Sequence, residues 1–357
     1  MPETIAGSEI LSLEETRALM RKKLRGFLPE FEIDYKAEFA YKINKLKKER
    51  NAVILGHNYM EPALYCSVPD HTGDSLELSR VSAETEADII VFCGVLFMAE
   101  TAKILNPEKM VLLPSEKALC SLAGGISVSD IRDLKKQYPG VPVVTYVNTY
   151  ADAKAESDYC CTSGNAAAVI KHLRALGHQH IMLLPDEFLA RNTAKELGMS
   201  FVLPGFLRGM HTDLPKEPTI IGWRARCEVH ELFRVDDIQL VRKQHPNVKV
   251  LAHPECSPEV CEEADFVGST KQLIAAVETM EGDQFLLLTE CSMGDNIAAA
   301  HPDKNMLRLC SFRCPHMNQI TMEDTLEALE KLQYQIELPA DIIKRARKPI
   351  DRMLEIR

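Results

Sequence analysis

No stretch of this sequence stays apolar long enough to cross a bilayer. The longest run, Ile89–Ala99, falls far short of the roughly 20 residues a membrane helix needs. The N-terminal residues lack the apolar core of a secretory signal and carry Glu3, Glu9, Glu14 and Glu15 instead, so a cytoplasmic protein without membrane association is expected. A basic excess is also missing. The 357 residues hold 42 Lys+Arg against 52 Asp+Glu, a formal charge of −10. That balance argues against a nucleic-acid partner or an anionic membrane surface, since both need clustered cations. A disordered composition is absent too: 46% of residues are hydrophobic and 26% charged, and the length fits two or three domains. What the chain holds in quantity is cysteine, eleven in all. Without a secretory signal a disulfide framework is not expected, which leaves buried apolar thiols or a metal or cluster site.

The first fifty residues read as a helical extension. Leu11, Leu13, Leu19, Met20, Leu24 and Phe27 recur at helical spacing, Leu28-Pro29 ends that element, and a charged helix runs from about Tyr35 to Arg50. The first strand is Ala52–Leu55. From there short apolar runs (VVTYV near 143, HIMLLP near 180, KVLAHP near 249, QFLLLT near 284) alternate with helical patterns, the signature of α/β units around parallel sheets. The segment from about Thr321 to Arg357 is again helical, with Leu326, Leu329 and Leu332 on one stripe and Pro339 before the last helix.

An internal repeat organises the middle of the chain. Three strands end in polar residues at alternate positions: His57 and Tyr59, Tyr146 and Asn148, His253 and Glu255. Each is followed by a small polar loop opening a helix, with Ser75, Ser163 and Thr270, then by a second strand–helix unit. Each repeat finally reaches a cysteine: Cys120, Cys227 and Cys314. The unequal steps between equivalent positions mark a triplication with insertions. The fold expected is therefore α/β, three pseudo-threefold-related αβα (Rossmann-like) domains around a central active site, plus helical N- and C-terminal segments. The boundaries are 1–50 for the extension, 51–125, 126–232 and 233–316 for the repeats, and 317–357 for C-terminal helices packing on the first repeat.

Ligands of open α/β units bind beyond the carboxyl ends of the strands. Three units around one axis would aim two His, two Tyr, an Asn and a Glu into one cavity. The hydroxyls at helix N-termini would join them, where free backbone N–H groups favour phosphate or carboxylate. Those hydroxyls could equally be N-caps. One cysteine per repeat suits a [4Fe–4S] cluster with one iron left without a protein ligand, an open Lewis-acid position. Cys66, Cys93, Cys160, Cys161, Cys256, Cys261 and Cys291 have no counterparts across the repeats and read as structural. Cys310 and Cys314 are four apart, a spacing a small zinc site or a thiol–disulfide pair could also use.

At these residues the chain resembles the quinolinate synthase family. The motifs are HNY, GDSLELS, FMAETAKIL, YVNT, TSGNA, W-x₃-C-x-V-H, HPE, GST, CPHM and a closing P-I-x-R-M-L, spread over about Glu49 to Leu354. The resemblance implies condensation of iminoaspartate with dihydroxyacetone phosphate to quinolinate, with loss of phosphate and two waters, in NAD biosynthesis. It implies Cys120, Cys227 and Cys314 as ligands of a [4Fe–4S] cluster. Tyr59, Glu255, His253 and His57 are the implied catalytic residues. Ser75, Tyr146, Asn148, Ser163, His230 and Thr270 join His57, His253 and Glu255 in holding substrate. A monomer or homodimer is expected, with transient contact to the L-aspartate oxidase that supplies iminoaspartate. The alternatives are another three-domain iron–sulfur lyase or reductase, and a cluster-bearing redox sensor. Departures from the family pattern are Ala190, the segment TECSMGDNI and a longer N-terminal helical region.

Overall fold

A computed structural model of the protein describes residues 10–205, 213–309 and 312–356; Cys310 and His211 lie outside them. Two helices come first, α1 (Leu13–Leu24) and α2 (Glu30–Glu49). Ser12 opens α1 through a capping box, its hydroxyl accepting the Glu15 N–H while Glu15 takes the Ser12 N–H at 2.8 Å. The chain turns at Gly26, where φ is 87°, a left-handed conformation that glycine adopts without strain. Pro29 then caps α2, with Glu30 and Glu32 in its first turn, so α2 begins at Glu30 rather than near Tyr35 as expected. Ile33, Ala37, Ala40 and Ile43 form its buried stripe.

The first repeat runs β1 (Ala52–His57), α3 (Pro62–Ser67), β2 (His71–Gly73), α4 (Ser75–Glu84), β3 (Ile89–Cys93), α5 (Leu96–Leu105) and β4 (Met110–Leu112). The second begins with α6 (Val128–Gln137) and continues with β5 (Val143–Tyr146), α7 (Ala151–Lys154), β6 (Tyr159–Cys161) and α8 (Ala166–Ala175). It ends with β7 (His180–Leu184), α9 (Glu187–Glu196), β8 (Ser200–Val202) and β9 (Thr219–Ile221). The third opens with α10 (Val235–Gln244), β10 (Lys249–Ala252), α11 (Pro258–Glu263) and β11 (Phe266–Val267). It closes with α12 (Thr270–Thr279), β12 (Gln284–Leu288), α13 (Cys291–Ala300) and β13 (Asn305–Arg308). Two helices follow, α14 (Met322–Lys331) and α15 (Ala340–Glu355).

Three parallel sheets result, with strand orders β2-β1-β3-β4, β6-β5-β7-β9-β8 and β11-β10-β12-β13. The same order recurs in each repeat once the edge strand β8 is recognised as an insertion, since β9 pairs with β7 as β4 does with β3 and β13 with β12. In every sheet the first strand of the repeat sits where the winding direction reverses, the switch point at which α/β folds bind ligands. An aspartate braces that strand each time. Asp70, Asp158 and Asp265 accept the N–H of Ile54, Val143 and Val250 at 2.8, 2.8 and 2.7 Å. Each also donates its own N–H to the same residue's carbonyl, and each lies five residues before Ser75, Ser163 or Thr270.

The chain forms two compact units. Unit one comprises residues up to 119, 247–249 and 274–337; unit two comprises 120–246, 250–273 and 338–357. In unit one, α14 packs against α2 and β3. In unit two, α15 packs against β6 and α7 of the second repeat, whereas both C-terminal helices are expected from sequence to pack on the first. The cause is local: Arg345 pairs with Glu156 at 3.0 Å and Arg352 donates to the Asp158 carbonyl at 2.7 Å. Among the described residues no helix is long and apolar enough to cross a membrane.

Candidate active site

In unit two the ends of β5 and β10 bring Tyr146, Asn148, His253 and Glu255 together. His253 Nδ1 accepts the Glu255 backbone N–H at 3.3 Å, which turns the chain so that the Glu255 side chain faces inward. His230, on the short turn after Cys227, stacks on His253 with ring centres 4.6 Å apart and planes 24° from parallel. Its Nδ1 lies 2.7 Å from Glu255 Oε2. Asn148 Nδ2 donates to Glu255 Oε1 at 3.3 Å, and the Tyr146 hydroxyl bonds with both Glu255 and Ser163. Burial pushes the Glu255 carboxyl up, but the neighbouring His230 and His253 and the hydrogen bonds from His230 and Tyr146 outweigh it, holding it at about 2. Burial, followed by the Glu255 charge, pushes the Tyr146 phenol well up.

Asp186 was not singled out from sequence. It caps α9, with Oδ1 accepting the Leu189 N–H at 2.6 Å. Its Oδ2 is buried without a hydrogen-bond partner among the described residues, as is Asn148 Oδ1. Burial and then the Glu255 charge push the Asp186 carboxyl well up. Two neighbouring carboxyl groups are thus driven apart, Glu255 downward and Asp186 upward, the pattern that divides acid from base in an active site.

The Cys120 and Cys227 loops are clasped to each other. Ser121 Oγ donates to Glu228 Oε1 at 2.7 Å, and Trp223 Nε1 donates to the Gly125 carbonyl at 2.8 Å. The loops approach so closely that a Cβ on Gly125 would stand 2.6 Å from the Ala225 methyl. Burial pushes the Cys227 thiol well up, and the charges of Glu255 and Cys120 add to it. Cys227, His230 and Glu255 offer ligand atoms within 4.8 Å of one another. However, His230 Nδ1 sits at hydrogen-bond distance from both others, 3.1 Å from Cys227 Sγ and 2.7 Å from Glu255. Ligand atoms around a tetrahedral zinc stand roughly 3.3–3.8 Å apart, so the triad is hydrogen-bonded rather than set for that ion.

Unit one carries the remaining candidates. His57 Nδ1 accepts the Tyr59 N–H at 3.2 Å, the same turn as at His253. The Tyr59 ring meets His57 edge-on with centres 4.7 Å apart, and its hydroxyl lies 2.6 Å from Thr289 Oγ1. Asn296 Nδ2 donates to the carbonyls of Asn58 and Met60 at 3.1 and 2.9 Å, which fixes this strand end. Cys314 donates its backbone N–H to Glu290 Oε1 at 3.4 Å.

The capping alternative for the three hydroxyls does not hold. Asp74 caps α4, accepting the Leu76 and Glu77 N–H groups, and leaves Ser75 as the first helical residue. Ser269 Oγ accepts the Gln272 N–H at 3.4 Å ahead of Thr270, and Asn165 precedes α8 two residues beyond Ser163. A Cβ on Gly164 would meet Ser269 Oγ at 3.2 Å, so the Ser163 and Thr270 loops are neighbours in unit two. Cys314 is a free thiol, which removes the Cys310–Cys314 disulfide, whereas Cys291 is disulfide-bonded. Two cavities, of 580 and 420 Å³, share Tyr159 and Arg352. Neither is lined by any candidate residue, and the cations around the larger one are exposed.

Residues 41–355 match the family model for Quinolinate synthetase A protein. The chain is 50% identical over 314 residues to the quinolinate synthase of Agrobacterium fabrum, covering 88% of this chain and 84% of that protein. It is 46% identical over 345 residues to quinolinate synthase 2 of Mesorhizobium japonicum, covering 97% and 99%. With the quinolinate synthase of Caulobacter vibrioides it shares 42% identity over 356 residues, covering 99% and 92%. A match of this extent, carried by strand ends that gather Tyr146, Asn148, His253 and Glu255, makes this chain an enzyme of the quinolinate synthase family.

Proposed function

We propose that this enzyme condenses iminoaspartate with dihydroxyacetone phosphate to give quinolinate, phosphate and two waters. The balance is redox-neutral, so the site must move protons and release leaving groups without a net electron. The observation that carries the reading is the ionised Glu255, bonded to His230 at 2.7 Å and to Asn148 at 3.3 Å beside the Cys227 thiol.

Glu255 is the general base, taking a substrate proton through its carboxylate, while the imidazole of His230, 2.7 Å away, holds that carboxylate in place. Asn148 Oδ1 and Asp186 Oδ2, buried without a hydrogen-bond partner among the described residues, are the polar atoms left for substrate, because a buried polar atom gains most from a bound partner. Ser163 and Thr270, on neighbouring loops at helix starts, bind the carboxylates or the phosphate. Tyr59 and His57 hold a second substrate edge, with Ser75 as the matching hydroxyl of their repeat.

The donor set suits an iron–sulfur cluster: three free thiols at equivalent places of three repeats, two of them close enough that the charge of Cys120 raises Cys227. Cys120, Cys227 and Cys314 would hold it. An open iron supplies Lewis acidity for a departing hydroxyl. Protein prepared anaerobically is expected to contain about four iron and four sulfide per chain, and to form quinolinate from the two substrates with no electron donor. A protein active without iron, or one that requires a reductant, would sink the proposal.

A further inference from the structure

Two of the three cysteines just assigned are preceded by arginine, in Arg226-Cys227 and Arg313-Cys314, whereas Leu119 precedes Cys120. We propose that Arg226 and Arg313 are positioning residues that hold the Cys227 and Cys314 loops ready for ligation, each through a carboxylate shared with a second arginine. This deepens the cluster reading and rests on it.

Within unit two, Arg226 donates through Nε and Nη2 to Glu187 Oε2 at 3.1 and 3.0 Å. Its guanidinium also lies 4.5 Å from the centre of the Phe188 ring. The other Glu187 oxygen takes Arg191 Nε at 2.8 Å. The backbone adds a further tie, since Glu187 N–H donates to the Ala225 carbonyl at 2.8 Å. Within unit one the device recurs with other residues. Arg313 Nη2 pairs with Asp295 Oδ2 at 3.3 Å, and Arg308 bonds the other oxygen of Asp295. Here too the loop has a second tie, from the Cys314 N–H to Glu290.

Both carboxylates sit on the helix that follows the third strand of their repeat, Glu187 at the start of α9 and Asp295 in the middle of α13, and both are largely buried, their side chains 5% and 16% exposed. A nearly buried carboxylate between two guanidinium groups is a fixed point, because moving either arginine would strand its charge. Cys120 needs no such arginine, since its loop is clasped to the Cys227 loop and inherits that loop's anchor.

The test compares Arg226→Gln and Arg313→Gln with Arg191→Gln and Arg308→Gln, which remove the other arm of each triad but do not adjoin a cysteine. Wild type and all variants are reconstituted anaerobically, iron is counted, and the loss of visible cluster absorption is followed under a chelator. Arg226→Gln and Arg313→Gln are expected to lose the cluster about tenfold faster or more, the scale for groups that orient metal ligands, beyond any fall in thermal midpoint that the Arg191 and Arg308 variants share. Arg226→Lys and Arg313→Lys should recover part of the difference, because charge returns without the planar fork. Arg191→Gln and Arg308→Gln, which leave the cysteine-side arm in place, should lose the cluster faster than wild type but more slowly than Arg226→Gln and Arg313→Gln. Wild type with about four irons, and Arg226→Gln and Arg313→Gln no faster than the Arg191 and Arg308 controls, would overturn the positioning role alone. An iron-free wild type would overturn the ligand assignment and the positioning role with it.

Discussion

Glu255 is ionised because its neighbours outbid its burial, and replacement by glutamine keeps its size and its bonds to Asn148 while removing the charge. Glu255→Gln is expected to lower quinolinate formation by about 10²-fold or more, the usual contribution of a positioned general base, with iron content retained. A steady-state assay beside an iron analysis checks both halves. Glu255 and His253 could be found from sequence because they repeat, in position, the His57–Tyr59 strand end, and the shared His Nδ1 turn explains why that spacing recurs. Asp186 could not. It stands at the end of a strand of the second layer of the repeat, looks like an ordinary helix cap, and acquires its significance only from Glu255 beside it. His230 was reached through family resemblance alone, since no counterpart in the other repeats marks it.

At the scale of elements, the strand-bracing aspartates are the clearest test of the triplication. Asp158→Ala leaves the buried Val143 N–H without its side-chain acceptor, a loss of about 1–3 kcal/mol, to be read from the midpoint of urea unfolding. The D-x₄-[ST] spacing that carries these aspartates was visible in the sequence, yet attention to the hydroxyls hid the acid five residues before them. The docking of α15 shows a different limit. Its apolar stripe marks a buried face but not which repeat receives it, and the decision falls to polar groups such as Arg345. Burial opposes ionisation of Glu156, but Arg132 and Arg345 outweigh it and hold its carboxyl below the ordinary value of 4.5. A depressed carboxyl adds stability above its unfolded value that is lost as pH falls through the folded one. Glu156→Gln should therefore destabilise by about 0.5–1 kcal/mol near neutral pH, the scale of an ion pair whose arginines are solvent-exposed. The difference from wild type should vanish below about pH 4 in thermal melts taken across that range.

For the whole molecule, the triplication legible in the sequence extends to the strand order of all three sheets, with the second repeat lengthened by the β8 insertion that its longer step in the sequence implies. The cysteine assignment follows the same logic and is tested at the same scale. Cys120→Ala, Cys227→Ala and Cys314→Ala should each lose most iron and essentially all quinolinate formation, while Cys310→Ser keeps both. If Cys310→Ser loses its iron and Cys314→Ala keeps it, the assignment in the third repeat is wrong.

The six free cysteines given no ligand role are all held away from ionisation by burial. Cys66 and Cys160 are pushed to about 11, Cys93 and Cys261 to about 12, and Cys161 and Cys256 well up. A thiol at about 11 is ionised in roughly one molecule in 10⁴ at neutral pH, and it is the thiolate that binds iron, meets oxidants and attacks electrophiles. Burial therefore makes these six sulfurs slow to meet oxidants or stray metal. Because it raises the Cys227 thiol too, a ligand cysteine differs from them by its place in the repeat rather than by its acidity.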